Sequence, residues 1–332
     1  MRFINIFTFK LDDVCLMKLL IFFILFCPFI TFSQSVDFCI GSCAEFTGET
    51  QDSIFYIVPN SKPDFFLWLG DNIYADESRW GDFKSMKMAY SDRHSTTSME
   101  YFFDQIPLQY AIWDDHDYGP NDSDSSFVGR SVSGRAFEKV WTSTPLNFAR
   151  YGDIRWKMRK GEAGFIGLDN RMHRGSKGTQ ILGTNQLKWL EEVLREYEDM
   201  RVVFIAIGSQ VLNSARVYEN YSRFPKERTK LLDICSGARP QVVFLTGDRH
   251  HGEINENIYK NKKFIEITSS PLTSSTHLPS KKELKRNVNL VDGSVVSANH
   301  FNRISLNENE LLTEFINSKG DIVFRRKWNI DF

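Results

Sequence analysis

The sequence predicts a layered α/β fold, in which a largely parallel sheet is covered by helices. Short apolar runs alternate with segments of helical periodicity, which is the pattern that such a fold requires. Several of these runs stop abruptly and are followed by polar side chains with metal-binding or catalytic chemistry. Because ligand sites of α/β sheets lie at the carboxyl ends of the strands, we expect these side chains to converge.

The run at residues 65–69 is continuous and apolar, as expected of a strand buried on both faces. It ends at Gly70-Asp71, where the glycine permits a tight turn and the carboxylate follows the end of the strand. The order of the strands cannot be read from this pattern. The comparable apolar runs are residues 36–40, 108–113, 164–168, 202–207 and 242–245.

Helices are predicted at residues 185–199, from residue 133 towards 148, and from Pro225 to residue 235. Near the end of the chain, three antiparallel strands are predicted, with a hairpin turn at residues 317–320. Those strands are residues 301–306, 311–316 and 321–328. Since no internal repeat or boundary divides the chain, residues 35–332 are predicted to form a single domain.

Length and composition are those of an ordinary globular protein. Hydrophobic residues make up 42% and charged residues 25% of the 332 residues, which allows a sizeable core. The formal net charge of −1 gives no electrostatic reason to expect binding to nucleic acid or to an anionic membrane. We attribute the aromatic content of 14% to the core and to pocket walls.

The N-terminus has the pattern of a secretory signal peptide. A basic start at Met17-Lys18 is followed by an apolar segment and by small residues at the positions Thr31 and Ser33. We therefore predict a signal peptide at residues 1–34, cleaved near Ser33, with Met17 as the possible true start. The protein would be exported to the periplasm or the extracellular space, without a stable membrane span after cleavage. An uncleaved N-terminal anchor is the alternative.

Side chains able to bind metals follow the apolar runs at seven positions: Cys43, Asp71, Tyr74, Asp115, His116, Asp248 and His250. Carboxylate and phenolate oxygens favour hard cations, whereas thiolate and imidazole suit iron or zinc. One shared carboxylate would hold two cations about 3.5–4 Å apart, a distance that suits them to clamp a phosphoryl group. We expect Asp71 to be that carboxylate and His116 to protonate the leaving oxygen or stabilise its charge.

Cys43 has a second interpretation. Signal cleavage would remove Cys15 and Cys27 and leave three cysteines, so at least one thiol is free or bound to something. In an oxidising compartment Cys43 could form a disulfide with Cys39 or Cys235, and a metal thiolate is the other possibility.

Four motifs occur in order along the chain: Gly41-Ser42-Cys43, Gly70-Asp71-x-x-Tyr74, Trp113-Asp114-Asp115-His116 and Gly247-Asp248-x-His250. They resemble those of the PhoD-like alkaline phosphatases, within the calcineurin-like metallophosphoesterase superfamily. The resemblance spans residues 36–270 and implies a four-layer αββα sandwich that hydrolyses phosphoesters.

The resemblance also implies a metal centre of Fe(III) with Ca(II) or another divalent cation. It implies that Cys43, Asp71 and Tyr74 hold Fe(III), and that Asp71 also bridges to the second cation. The remaining implied ligands are Asp115, Asp248, His250 and Gln210, while His116 is the implied transition-state histidine. Gln210 stands where relatives have a histidine, which puts the second metal in doubt.

Arg171 is expected to hold the substrate phosphate bidentately, and a structural ion pair is the alternative. Asn121 is a second expected phosphate contact, although loop asparagines usually serve turns. The predicted function is hydrolysis of a phosphomonoester or phosphodiester. The alternatives are a phospholipase D-type phosphodiesterase acting on lipid or cell-wall polymer, and a non-catalytic exported binding protein.

Overall fold

Two six-stranded sheets form the framework of the protein. The structure is a computed structural model that describes residues 35–46, 51–175 and 178–330. The predicted signal peptide lies outside these residues, as do Cys15 and Cys27. In chain order the strands are β1 (Val36–Gly41), β2 (Phe65–Leu69), β3 (Gln109–Ile112), β4 (Trp156–Lys160), β5 (Ala163–Gly167), β6 (Val202–Ala206), β7 (Gln241–Thr246), β8 (Glu253–Tyr259), β9 (Lys262–Thr268), β10 (His300–Leu306), β11 (Glu310–Asn317) and β12 (Ile322–Asn329).

The first sheet has the order β12-β11-β10-β1-β2-β3 and the second has the order β4-β5-β6-β7-β9-β8. Strands β1, β2 and β3 run parallel to one another, and so do β5, β6, β7 and β9. The outer strands pair antiparallel, including the predicted hairpin of β11 and β12. Since parallel strands end at the same edge, the loops after β1, β2 and β3 lie side by side.

The two sheets pack face to face through aromatic side chains. The ring centroid of Phe38 in β1 lies 5.1 Å from that of Phe165 in β5 and 5.0 Å from that of Phe204 in β6. The ring of Phe65 in β2 lies 5.2 Å from Phe165. These buried rings meet edge to face, an arrangement that their quadrupoles favour.

Helices cover the outer face of each sheet. Phe66 and Trp68 of β2 point away from the second sheet, and their rings lie 5.1 and 5.9 Å from Phe102. On the other side, Ile166 and Ile205 pack in one cluster with leucines of two helices. The helices are Ile54–Ile57, Phe83–His94, Thr97–Gln105, Asp115–Tyr118, Arg130–Val140, Phe148–Tyr151, Gly183–Glu196, Pro225–Ser236 and Lys281–Arg286. The four-layer αββα fold that the resemblance implied is confirmed.

Several elements were not predicted from the sequence. Strands β4 and β8 lie at the two edges of the second sheet and carry many polar residues, so they show no apolar run. The helix predicted from residue 133 begins at Arg130 and ends at Val140. The part of the chain from Gln34 to Phe332 forms one compact unit. None of the described helices has the length and apolarity needed to cross a membrane.

Glu227 provides a testable contribution to stability at the start of the helix Gly183–Glu196. Its carboxylate accepts hydrogen bonds from the backbone N–H groups of Ile181, Leu182 (3.1 Å) and Gly183 (2.8 Å). Because charge-assisted bonds at a helix N-terminus are the stronger ones, Glu227→Gln is expected to lower the free energy of unfolding by about 1–2 kcal/mol. Urea denaturation measures this, with the exposed Glu191→Gln as control. Equal effects of the two substitutions would contradict the expectation.

Candidate metal centre

The predicted site residues lie in loops that follow four parallel strands. In order after β1, β2, β3 and β7, they are Cys43; Asp71 and Tyr74; Asp115 and His116; Asp248 and His250. The first three loops belong to the first sheet and the fourth belongs to the second sheet. The hydroxyl of Ser42 donates a hydrogen bond to the carbonyl of Ser269 at 2.8 Å, which joins the two sheets at this edge.

Four of these residues have a left-handed backbone conformation. The φ angle is 56° at Cys43, 51° at Asp71, 66° at Asp248 and 55° at His250. Such angles are uncommon in residues other than glycine and concentrate at functional sites, where the surroundings enforce them. Gly70 allows the same edge to pack closely, since a Cβ atom there would lie 2.7 Å from that of Asp114.

Cys43, Asp71, Tyr74 and His250 form one group of donor atoms. The sulfur of Cys43 lies 3.5 Å from Oδ2 of Asp71, and the hydroxyl of Tyr74 lies 3.4 Å from Nε2 of His250. Ser270, which sequence reasoning missed, donates to the Cys43 sulfur at 3.2 Å and accepts from the His250 N–H at 2.8 Å. Thiol, carboxylate, phenol and imidazole donors are therefore brought together.

The orientation of His250 leaves one ring nitrogen for a ligand role. Its Nδ1 lies 2.6 Å from the carbonyl oxygen of Ser275. A carbonyl oxygen only accepts, so Nδ1 is the donor, and in the neutral imidazole Nε2 keeps its lone pair. Histidines that bind metals are usually held in this way by a partner on the second nitrogen.

The loop after β3 adds a second group next to Asp71. Ligand atoms of Asp71, Asp115 and His116 all lie within 4.8 Å of one another. The backbone N–H of His116 donates to Oδ1 of Asp71 at 3.2 Å, and its ring lies 4.3 Å from the ring of Tyr74, between centroids. Asp71 thus contacts both groups, as a shared carboxylate must.

The carboxylate of Asp117 links the loop after β2 to the segment after β3 by hydrogen bonds. Its carboxylate accepts from the N–H of Asn72 at 3.2 Å, from the hydroxyl of Tyr90 at 2.8 Å and from the N–H of Asp114 at 3.1 Å. Sequence reasoning did not single out this residue, although it directly follows the motif Trp113-Asp114-Asp115-His116. Its role here is to position the Asp71 loop against the helix Asp115–Tyr118.

Asp115, Asp122 and Glu219 form a further cluster of carboxylates. Their oxygens lie within 4.8 Å of one another, and the N–H of Asp122 donates to Asp115 at 2.7 Å. Sequence reasoning missed both Asp122 and Glu219. Asp122 is adjacent to the predicted phosphate contact Asn121, but Glu219 lies near the far end of the long irregular segment that follows β6.

Arg171 is surrounded by carboxylates. It is fully buried, forms ion pairs with Asp114 and with Glu219 at 2.5 Å, and lies 3.6 Å from Asp115. The other oxygen of Asp114 is buried without a hydrogen-bond partner. These contacts support the alternative of a structural ion pair, because the guanidinium of Arg171 is buried and already bound to carboxylates.

Gln210 and Asn121 are not brought into the group around Asp71. The side-chain nitrogen of Gln210 donates to Glu253 at 2.6 Å and to Thr268 at 3.0 Å, and its oxygen accepts from Asn213 at 3.0 Å. This buried network occupies the amide. Asn121 is exposed in the turn after the helix Asp115–Tyr118.

Burial raises the pKa of two acidic residues of the site, Asp71 and Asp248. Burial, with the nearby Asp115 as the next cause, raises the pKa of Asp71 well above its ordinary value. Burial, together with the nearby Asp114, raises the pKa of Asp248 to about 7. Buried carboxylates in such proximity repel one another unless a cation compensates them.

The thiol and the phenol carry the same signal. Burial raises the pKa of the Cys43 thiol to about 12 and raises the pKa of Tyr74 well above 10. Cys43, Cys39 and Cys235 are all free thiols, so the disulfide alternative is not formed. A bound cation would let both groups ionise, and sulfur, oxygen and nitrogen donors together fit a transition metal beside a hard cation. The residues present therefore fit a metal cofactor.

A comparison with known protein families identifies the family of this chain. A family model described as PhoD-like phosphatase matches residues 153–319, which is about half of the 332 residues. The match includes Asp248 and His250, whereas the loops after β1, β2 and β3 precede it. No curated protein sequence matches the chain.

Three solved structures show the same fold. The structure of PhoD has a TM-score of 0.71 at 16% identity and covers 90% of this chain and 70% of its own. The purple acid phosphatase PPD1 from yellow lupin (Lupinus luteus) seeds has a TM-score of 0.66 at 12% identity, with 90% and 55% covered. GAP50, the anchor in the inner membrane complex of Plasmodium, has a TM-score of 0.58 at 14% identity, with 90% of each chain covered.

These structural likenesses establish the fold, and the family match extends over half of the sequence. The geometry adds acidic and histidine groups able to hold metal ions at the expected edge of the sheets. The chain belongs to the PhoD-like phosphatase family, and it is a metal-dependent phosphoric ester hydrolase.

Proposed function

We propose that this protein is an exported phosphatase or phosphodiesterase with a dinuclear metal centre. One observation carries the proposal: donors from the loops after β1 and β3 meet at the single carboxylate of Asp71. The proposed ligands are Cys43, Asp71, Tyr74 and His250 for one cation, and Asp71, Asp115 and Asp248 for the other. Gln210 is left out because its amide is already hydrogen bonded.

Within this proposal, bound cations would supply Lewis acidity, which would neutralise charge on the phosphoryl oxygens and lower the pKa of the attacking water. Asp71 keeps the two cation sites adjacent. His116 is fixed through its backbone on Asp71 and through its ring on Tyr74. Its half-buried imidazole is placed to donate a proton to the leaving oxygen as the ester bond breaks.

The donor chemistry favours different cations at the two sites. A buried thiol and a phenol, each with a raised pKa, ionise only beside a strong Lewis acid, which supports Fe(III) at the site of Cys43 and Tyr74. The site of Asp115 and Asp248 has oxygen donors, with Asp122 and Glu219 close by. Such donors suit Ca(II) or another hard divalent cation.

Two other functions compete with this one. A phosphodiesterase of the phospholipase D type, acting on a lipid or cell-wall polymer, would use the same metal centre. A non-catalytic binding protein is the third candidate, and the anchor GAP50 shows that the fold also occurs in a protein described by an anchoring role. The thiol, carboxylate and imidazole groups next to Asp71 favour catalysis, since an anchor does not require them.

Metal analysis and a pair of substrates test the proposal. We expect purified protein to contain about one iron per chain and to hydrolyse 4-nitrophenyl phosphate or bis(4-nitrophenyl) phosphate, because the centre activates water in either case. The ratio of kcat/KM for these two esters of the same phenol decides between monoesterase and diesterase. N-terminal sequencing of the exported protein is expected to begin near Ser33.

Two results would contradict the proposal. Folded protein that binds no metal and hydrolyses neither ester would favour the binding protein. Metal-loaded protein that retains the intact N-terminus in the cytoplasm would remove export while leaving the enzyme assignment in place.

A further inference from the structure

A cavity of about 590 Å³ opens beside the proposed metal centre. Asp122 and Glu219 belong both to its wall and to the carboxylate cluster with Asp115, so the cavity adjoins the place where the phosphoester would react. Pockets of this size accommodate small organic ligands and exceed the space that one phosphate needs. The cavity therefore offers room for a further part of the substrate.

Three arginines line this cavity: Arg174, Arg216 and Arg223. Arg216 and Arg223 are exposed. Among the described residues, no hydrogen bond or ion pair engages either guanidinium. Unpaired guanidinium groups bind carboxylate and phosphate oxygens well, because their planar donors match two oxygens at once.

Arg174 supplies the buried part of the site. It is 5% exposed, and one terminal nitrogen binds Glu219 at 2.9 Å. The other terminal nitrogen is buried and has no hydrogen-bond partner. The ring of Phe224 lies 5.0 Å from the guanidinium carbon and holds it in place. A buried donor without a partner is unfavourable, and an anion in the cavity would supply the missing acceptor.

Two acidic residues of the wall already have partners. Glu219 is paired with Arg171 and Arg174, and Asp124 accepts from the backbone and the hydroxyl of Ser126. The third, Asp122, belongs to the carboxylate cluster with Asp115, whose charge a cation of the proposed metal centre would balance. The arginines are therefore the groups of this cavity with unused capacity for an anion.

We propose that the cavity is a subsite for a second anionic group of the substrate, a carboxylate or a phosphate. Arg216, Arg223 and the free nitrogen of Arg174 bind that group while the phosphoester reacts at the metal centre. This inference rests on the proposed function and refines its substrate class to phosphoesters that carry a second negative charge.

A matched set of substrates tests the subsite. In metal-loaded protein, kcat/KM is measured for 4-carboxyphenyl phosphate and for its neutral isostere, 4-carbamoylphenyl phosphate. We expect the ratio of the two to fall about tenfold in Arg216→Ala/Arg223→Ala, since charge-assisted hydrogen bonds are lost only for the carboxylate. The exposed Arg195→Ala, outside the cavity, is expected to leave the ratio unchanged. A phosphonate in place of the carboxylate shows which anion is preferred.

An unchanged ratio of kcat/KM in the double variant would overturn the subsite, whether or not both values fall. Calorimetric titration with 4-carboxybenzylphosphonate and 4-carbamoylbenzylphosphonate decides the question independently of turnover. If the wild-type protein hydrolyses no ester but binds the carboxylate compound more tightly through these arginines, the subsite stands and the proposed hydrolysis fails. Equal binding of both phosphonates would overturn the subsite even in an active enzyme.

Discussion

Asp71→Asn is expected to lower the turnover of a phosphate ester about a thousandfold, because it removes the carboxylate shared by both proposed cation sites. Asparagine has the same shape and can still accept the N–H of His116, so the fold is expected to persist. The substitution also removes a buried acid whose pKa is raised by burial and by Asp115. The metal-free variant should therefore be at least as stable as the metal-free wild type.

Three measurements check this expectation: iron content, kcat, and the melting temperature with and without added metal. The wild type is expected to gain stability on metal loading, and Asp71→Asn is expected to lose that gain. Asp104→Asn, on the exposed face of the helix Thr97–Gln105, is the matched control and should behave as wild type. A variant at position 71 with normal iron content and normal turnover would refute the shared-carboxylate role.

Arg171→Met is expected to lower the free energy of unfolding by about 3–5 kcal/mol. The substitution leaves the buried Asp114 beside Asp115 without its counter-charge, and it removes one of the two arginines that pair with Glu219. The double variant Arg171→Met/Asp114→Asn also removes the unpaired charge of Asp114. It should therefore recover part of the lost free energy of unfolding. Urea denaturation of the metal-loaded protein measures both effects.

The exposed ion pair of Arg159 and Asp199 provides the comparison. Its side chains are 39% and 60% exposed at a separation of 2.7 Å. Arg159→Met should therefore lower the free energy of unfolding by at most about 1 kcal/mol. If Arg171 instead clamped the substrate phosphate, Arg171→Met would raise KM and leave unfolding unchanged, which is the outcome that decides against the ion-pair role.

The sequence was most informative where burial and polarity change sharply along the chain. Strand β2 has the predicted bounds because its apolar run ends at the acidic turn containing Asp71. Strand β8 was missed because polar residues, including the buried Glu253 and Asn255, alternate with its apolar ones, so that no apolar run marks it. The layered architecture was predictable for the same reason, while the pairing order depends on contacts between distant segments.

Only some of the site residues could be predicted from the sequence. Donors that directly follow a strand, such as Cys43 and Asp248, could be proposed from sequence alone. Glu219 could not, because its position depends on the path of an irregular segment. Arg171 was expected to bind phosphate, but its ion pairs are formed with acids far away in the sequence. Gln210 also follows a strand, but its amide nitrogen donates a hydrogen bond to the buried Glu253 and lies outside the group around Asp71.

The hydrogen bond from Ser42 to Ser269 crosses from one sheet to the other at the same edge where the donors meet. If Cys43, Asp71 and Asp115 share cations with His250 and Asp248, those cations crosslink the two sheets. Cation affinity then enters the free energy of unfolding directly, in proportion to the logarithm of the free metal concentration. Chelators in the surroundings would weaken the architecture as well as the chemistry, so that folding and catalysis depend on the same supply of metal.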